Sequence, residues 1–232
     1  MQITMITIEK TETYGWEAAV RGMRNPKNSW DKSDSTFLPV YAPPADYVPE
    51  IGENDLALMK TLAAAGTDHG KFLRMITVTI DLTAPFYWWK EFDTYKVGTV
   101  ADSCSTMHKI HAKEFTLDDF SHEHLIADDR ILMDGEADVN FDCYGCSILT
   151  VLEMTISTLN HCRKMFLETK DKLWWWQLIQ LLPSSYNQKR TVQVNYQVLK
   201  NMYHARKNHK LDEWHTLCEW IEGLPYSELI TG

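Results

Sequence analysis

FLRMITVTIDLTAPFYWWKEFDTYK, residues 72–96, changes its periodicity in the middle. Residues 72–83 alternate apolar and polar side chains and are rich in Ile, Val and Thr, which predicts a half-buried strand. Ala84-Pro85 ends that strand. Pro85, with its fixed φ and missing N–H, suits the first turn of a helix that carries Phe86, Tyr87, Trp88 and Trp89. Outward from this junction the same mixture recurs. QITMITI (2–8) reads as a strand, and Tyr14 to Met23 as a short helix stopped near Asn25-Pro26. Residues 25–50, dense in Pro, Ser, Asp and Asn, read as a loop. Asn54-Asp55 precedes a helix that ends at Gly66. In residues 147–169, Ile148, Leu152, Ile156, Leu159 and Phe166 fall on one stripe, as in a long amphipathic helix. Lys172 to Leu182 is a further helix ended by Pro183. TVQVN (191–195) is a short strand, and 196–209 and 210–222 are helical. There is no internal repeat and no regular βαβ alternation. The prediction is a single α+β domain over 1–232, a mixed sheet flanked by helices, with a loop at 25–50 and an acidic insert at about 113–145.

Composition narrows the function classes. The chain has 232 residues, 44% apolar and 24% charged, with a net charge of −9. A negative chain is poorly suited to gripping duplex nucleic acid, whose phosphates need basic surface, so no nucleic-acid partner is expected. No stretch approaches eighteen uninterrupted apolar residues, so no membrane span is expected. The start, MQITMITIEK, lacks a basic region followed by an apolar core, and the five cysteines are an odd count. Reduced thiols in the cytoplasm are the expectation. Cys143-Tyr-Gly-Cys146 is a single CxxC. A mixed site with His122 and His124 can be drawn, but without a second ligand pair two unpaired thiols near a turn is the simpler reading, and no metal is expected.

Three constellations carry chemistry. The first is 84–108. After the aromatic helix come Lys96 and a run of Thr99, Asp102, Ser103, Cys104, Ser105 and Thr106. Small hydroxyls and approachable N–H groups suit a phosphate, and Lys96 supplies charge, so 97–107 is expected to be a polar loop or a helix N-terminus. Cys104 and His108 are four apart, which on a helix would place thiol and imidazole on one face. The second is 181–214, where Lys189, Arg190, Lys200, Arg206, Lys207 and Lys210 make a basic stretch in an acidic protein. Concentrated positive charge suggests an anion site, although a solvated helix face has the same composition. Asn195, Asn201 and Arg206 are more pointed, because amides read heterocycle edges and Arg grips phosphate in bidentate fashion. The third is the nine tryptophans, clustered at Trp88-Trp89 and Trp174-Trp175-Trp176. They could stack on a planar ligand or simply fill the core.

In order and spacing these residues resemble the flavin-dependent thymidylate synthase family. That family has an Ala-x-Arg segment before a Ser-containing loop; here Ala19-Val20-Arg21 precedes Asn28-Ser29-Trp30. It then has a helix, a strand, Ala-Pro, and a signature of Arg-His-Arg, two residues, Ser, one residue, Asn-Glu, one, Ser, one, Arg-Tyr. Laid ungapped from Ala84-Pro85, Arg-His-Arg falls on Thr94-Tyr95-Lys96, the first Ser on Thr99 and Asn-Glu on Ala101-Asp102. The second Ser falls on Cys104 and Arg-Tyr on Thr106-Met107. A Gln three residues before the signature lands on Glu91. The C-terminal Leu-Pro, two Asn and Arg map to Leu182-Pro183, Asn195, Asn201 and Arg206, while a flavin-contacting Arg becomes Gln197.

The resemblance implies a homotetramer with active sites between subunits and FAD as cofactor. It implies deoxyuridine monophosphate as the pyrimidine nucleotide acceptor, methylenetetrahydrofolate as one-carbon donor and NADPH as reductant. Carried over by position, Glu91, Thr99, Asp102, Cys104, Ser105, Thr106 and Arg206 are the expected substrate contacts. Lys96, Asn195, Asn201 and Arg206 are the expected cofactor contacts. The family needs no cysteine nucleophile, so Cys104 at a Ser position, with Asp102 beside it, marks the pair expected to be catalytic if the chemistry has changed. Two alternatives follow: an enzyme with an altered acceptor or product that uses Cys104, or a nucleotide-binding protein without flavin chemistry.

Overall fold

The structure, a computed structural model, describes residues 5–38, 47–128 and 147–232. The contact pattern divides the chain into two compact units. One comprises the described residues up to Thr83 together with Trp88–Ser103 and Lys189–Gly232; the other comprises Ala84–Tyr87 and Cys104–Gln188.

The first unit is organised by a four-stranded sheet in the order β1-β2-β4-β3. β1 is Thr7–Tyr14, β2 Thr77–Pro85, β3 Val100–Ser103 and β4 Asn187–Asn195. β1 runs antiparallel to β2, with Thr7 opposite Thr83 and Tyr14 opposite Thr77. The register is broken between Glu9 and Glu12, where Lys10 has a positive φ of 54°. β3 runs antiparallel to β4, with Val100 opposite Gln193 and Ser103 opposite Arg190. The alternation read from 72–83 is realised as a buried face of Val78, Ile80, Leu82 and Ala84, joined by Val192 and Val194 from β4. Each Val, Ile or Leu side chain among these, taken from water, contributes about 1.5–3 kcal/mol. The opposite face is polar. Thr191 donates to Asp81 (2.7 Å), and the Lys189 Nζ lies 3.1 Å from Glu9 and 3.2 Å from Asp81.

Helices α1 (Trp16–Arg24), α2 (Glu53–Ala64), α3 (Phe86–Phe92), α6 (Tyr196–Arg206), α7 (Asp212–Glu222) and α8 (Glu228–Thr231) complete the secondary structure around this sheet, with α6 packed on α7 and α8. Trp88 and Trp89 of α3 are buried beside Phe92, and Trp88 stacks on Trp214 of α7 with 4.8 Å between ring centres. These tryptophans are core, not a stacking platform.

The second unit is held by a helical hairpin of α4 (Ile148–Thr169) and α5 (Lys172–Leu181). Ser147 caps α4 by accepting from the Thr150 N–H, and Asp171 caps α5 by accepting from the Leu173 N–H. Leu152, Ile156, Leu159 and Cys162 of α4 form a core with Leu178, Ile110, Phe115 and Phe120. Ile148 and Phe166 of the predicted stripe stay partly exposed. Asn160 fastens the preceding segment, accepting from the Phe115 N–H and donating to its carbonyl.

Several expectations shift. The first strand begins at Thr7, so only its last two predicted residues, Thr7 and Ile8, lie in β1, and residues 2–4 lie outside the described part. Gly70–Arg74 is a 3-10 turn, so β2 starts five residues later than alternation suggested. Gly52, not Asn54 or Asp55, caps α2. Residues 100–103, read as part of a polar loop, are an edge strand. Cys104 lies in irregular backbone after β3 and His108 in the turn that follows, so helical spacing does not bring them to one face. Much of the acidic insert, with Cys143 and Cys146, lies outside the described residues. Among the described residues no cluster of three metal-ligating side chains occurs, and no helix is long and apolar enough to cross a membrane.

Candidate functional site

The two stretches singled out in the sequence meet within the sheet-containing unit. α3 turns Trp88, Trp89 and Phe92 inward, and its Glu91 is left partly exposed. α6 ends at Arg206, where a cation is favoured by the helix dipole. The Arg206 Nη1 donates to the Glu91 Oε2 at 2.8 Å, and its Nε donates to the Tyr95 hydroxyl at 3.0 Å. The same Glu91 oxygen accepts from the Trp214 indole N–H at 3.1 Å and lies 3.3 Å from the His209 Nε2. The guanidinium carbon sits 4.8 Å from the centre of the Trp214 ring. Arg206 is therefore fixed by two donated bonds and by the rings of Trp214 and Tyr95.

Asn195 begins α6, and its Oδ1 accepts from the Val198 N–H at 3.0 Å. The loop after α3 is pressed onto it: Gly98 has φ +83°, and a Cβ there would stand 2.8 Å from the Asn195 Nδ2. The next residue, Thr99, has a buried hydroxyl oxygen with no hydrogen-bond partner. Lys96, two residues before Gly98, is exposed. One and a half turns along α6, Asn201 accepts from Gln197 at 3.0 Å. Both line a groove of about 450 Å³ with Ala63, Thr67, Lys200 and His204.

Glu91, Arg206, Asn195 and Thr99 are thus placed where two chain segments converge, and Asn201 lies in the groove along α6. Asp102 stands apart as an exposed residue of β3 opposite Thr191. Cys104, Ser105 and Thr106 belong to the other unit. There the Cys104 thiol is free and exposed, its carbonyl accepts from Gln188 at 2.8 Å, and the Ser105 hydroxyl accepts from the His108 N–H. The basic stretch does not form one anion patch. Lys189 is paired with carboxylates, Arg190 bonds Asp93 at 2.8 Å and stacks on Trp89, and Lys200 turns inward to the carbonyls of Ala63 and Gly232. Burial lowers the pKa of Lys200. Arg21, from the Ala-x-Arg segment, is exposed on α1 near Glu17.

Tyr95, Trp214, His209 and Gly98 complete the cluster without having been picked out as site residues. Tyr95 adjoins Lys96, and the glycine before Thr99 marked a backbone needing positive φ. Nothing in the sequence linked Trp214 or His209 to Glu91.

No protein-family model and no curated protein sequence matches the chain. Solved structures do. A flavin-dependent thymidylate synthase ThyX from Helicobacter pylori, complexed with FAD and dUMP, superposes with a TM-score of 0.63 at 14% identity, covering 97% of this chain and 96% of that one. A UMP/dUMP methylase, PolB from Streptomyces cacaoi, bound with 5-Br dUMP, gives a TM-score of 0.59 at 13% identity, covering 96% and 93%. The α+β arrangement of helices and a four-stranded sheet is the fold of the flavin-dependent thymidylate synthases, held by this chain over nearly its whole length.

Proposed function

We propose that the protein is a divergent flavin-dependent thymidylate synthase-like enzyme. Its reaction would be transfer of a one-carbon unit from methylenetetrahydrofolate to C5 of dUMP, with NADPH as reductant, in the cytoplasm and as a homotetramer. The observation that carries this reading is the meeting of Arg206 with Glu91 and Tyr95, within a fold whose solved examples include complexes with FAD and dUMP.

The residues present suit a planar cofactor with a phosphoryl tail. The buried Thr99 hydroxyl lacks a partner, Lys96 offers an exposed ammonium, and the Asn195 and Asn201 amides keep N–H groups beyond the bonds their oxygens accept. When bound, reduced FAD would supply the hydride that completes the new methyl group. The chain's own part is to hold, orient and exclude water: Arg206, held by Glu91, contacts the nucleotide, and Lys96 and Thr99 bind phosphoryl oxygens.

A second reading rests on the exposed, free thiol of Cys104. In it the thiolate adds to C6 of the pyrimidine, making C5 nucleophilic toward a one-carbon electrophile, and leaves again when the C5 proton is lost.

Purification under native conditions tests the proposal. The expected result is protein with the visible absorbance of bound flavin, or protein that acquires it on mixing with FAD, and that binds dUMP. A colourless chain that neither takes up FAD nor binds dUMP would overturn it.

A further inference from the structure

A guanidinium carries five N–H donors. In Arg206 the Nε–H is committed to Tyr95 and one Nη1–H to Glu91, which leaves the rest of the fork for a ligand. Its charge, however, is offset by a carboxylate oxygen 2.8 Å away. That carboxylate is itself held by the buried Trp214 and by His209, so a ligand cannot simply displace it. A phosphate placed on the remaining donors would lie within a few ångströms of the Glu91 charge, and two like charges that close repel. A ring carbonyl carries only a partial charge and meets no such repulsion.

We infer that Glu91 is a positioning and specificity residue. It orients Arg206 and cancels its charge, so that Arg206 presents its free N–H groups to the neutral carbonyl-bearing edge of a pyrimidine ring and not to the phosphate. The inference rests on the pyrimidine-nucleotide reading above. It goes beyond it by dividing the labour: the phosphate is left to cations without a carboxylate neighbour, with Lys96 first among them. It also departs from the resemblance, which places a neutral Gln at position 91.

The test is calorimetric titration of the full chain, and of Glu91→Ala and Glu91→Gln, with dUMP, with deoxyuridine and with inorganic phosphate. If Glu91 serves the base edge, Glu91→Ala weakens dUMP and deoxyuridine by the same factor, roughly tenfold or more, the size of a lost charge-assisted bond. Glu91→Gln, which keeps an acceptor oxygen, loses less for both ligands. Affinity for inorganic phosphate rises, because Arg206 is left with a charge that no carboxylate offsets. The inference is overturned if the variants change dUMP affinity while deoxyuridine affinity is unmoved, if they fail to tighten inorganic phosphate, or if they alter none of the three. In those outcomes the unaltered chain still binds dUMP, and the nucleotide reading stands. If the unaltered chain binds neither dUMP nor deoxyuridine, the nucleotide reading itself fails, and the inference with it. Should Glu91→Ala not fold, Glu91→Gln decides alone by whether its dUMP and deoxyuridine affinities move together.

Discussion

Gly98 rests on Asn195 so closely that any side chain at 98 would collide with the amide: a Cβ would come 2.8 Å from Nδ2 and 3.1 Å from a methyl of Val198. The backbone there also has φ +83°, a region that costs L-residues free energy. This contact ties the loop bearing Lys96 and Thr99 to the start of α6. Gly98→Ala should therefore lower stability by about 1–3 kcal/mol and weaken flavin uptake more than it weakens folding. Thermal unfolding and FAD titration of the same preparation measure both. A variant with unchanged melting temperature would show that the loop is not fixed by this contact.

Arg24 and Asp55 make a buried ion pair, Nε to Oδ1 2.6 Å, with 4% and 0% of their side chains exposed. The second Asp55 oxygen accepts from the hydroxyls of Ser33 and Ser35 and from the backbone N–H groups of Asp34 and Ser35, so it organises the start of the 25–50 loop. Burial by itself would raise the pKa of Asp55. The hydrogen bonds from Ser35, Ser33, Arg24 and Asp34 outweigh it and hold the carboxyl below the usual carboxylate range. A carboxyl whose pKa is depressed on folding stabilises above its unfolded pKa, and that contribution is lost as pH falls through the folded value. Acid unfolding should accordingly steepen below about pH 4. Asp55→Ala, which leaves Arg24 buried and unpaired, should cost about 3–5 kcal/mol in urea unfolding and flatten that acid limb. An acid limb unaltered by the substitution would remove Asp55 as its origin.

What could be read from the sequence follows from how local each signal is. Leu152, Ile156 and Leu159 repeat with helical period and were legible, as were Pro85 at the head of α3 and Pro183 after α5. β3 was not, because all four of its residues, Val100 to Ser103, are exposed, and an edge strand without a buried face shows no alternation. Asp55 looked like a helix cap because the N-terminal signal is local, whereas its partner Arg24 is 31 residues away. Arg206 and Glu91 were each recognisable by chemistry. Their pairing, 115 residues apart, is a property of the packing of α3 against α6 and α7 and has no signature in either segment.

Leu159 is completely buried at the centre of the α4–α5 hairpin core. Removing three carbons there leaves a cavity that its neighbours Phe115, Phe120 and Leu178 can only partly fill. Leu159→Ala should destabilise by about 2–5 kcal/mol. Val151→Ala, at an exposed position on the same helix, is the control and should change stability by less than about 0.5 kcal/mol. Chemical denaturation of both, read by circular dichroism, distinguishes a core role from general loss of helix. Equal effects would contradict the packing described.

The thiols differ by environment in a way that separates the two chemical readings. Cys104 is exposed, while Cys162 and Cys218 are buried. Burial raises the pKa of Cys162 and pushes that of Cys218 up to about 11. Only the thiolate is nucleophilic, so both buried groups stay protonated and unreactive at neutral pH. Brief treatment of native protein with iodoacetamide, followed by peptide mapping, should label Cys104 and spare Cys162 and Cys218. Early labelling of Cys218 would contradict its burial. Turnover of the alkylated protein then assigns the chemistry. If flavin stays bound and Cys104 is a bystander, activity on dUMP survives the label; if the thiolate adds to C6, activity is lost in step with labelling, and added dUMP slows both.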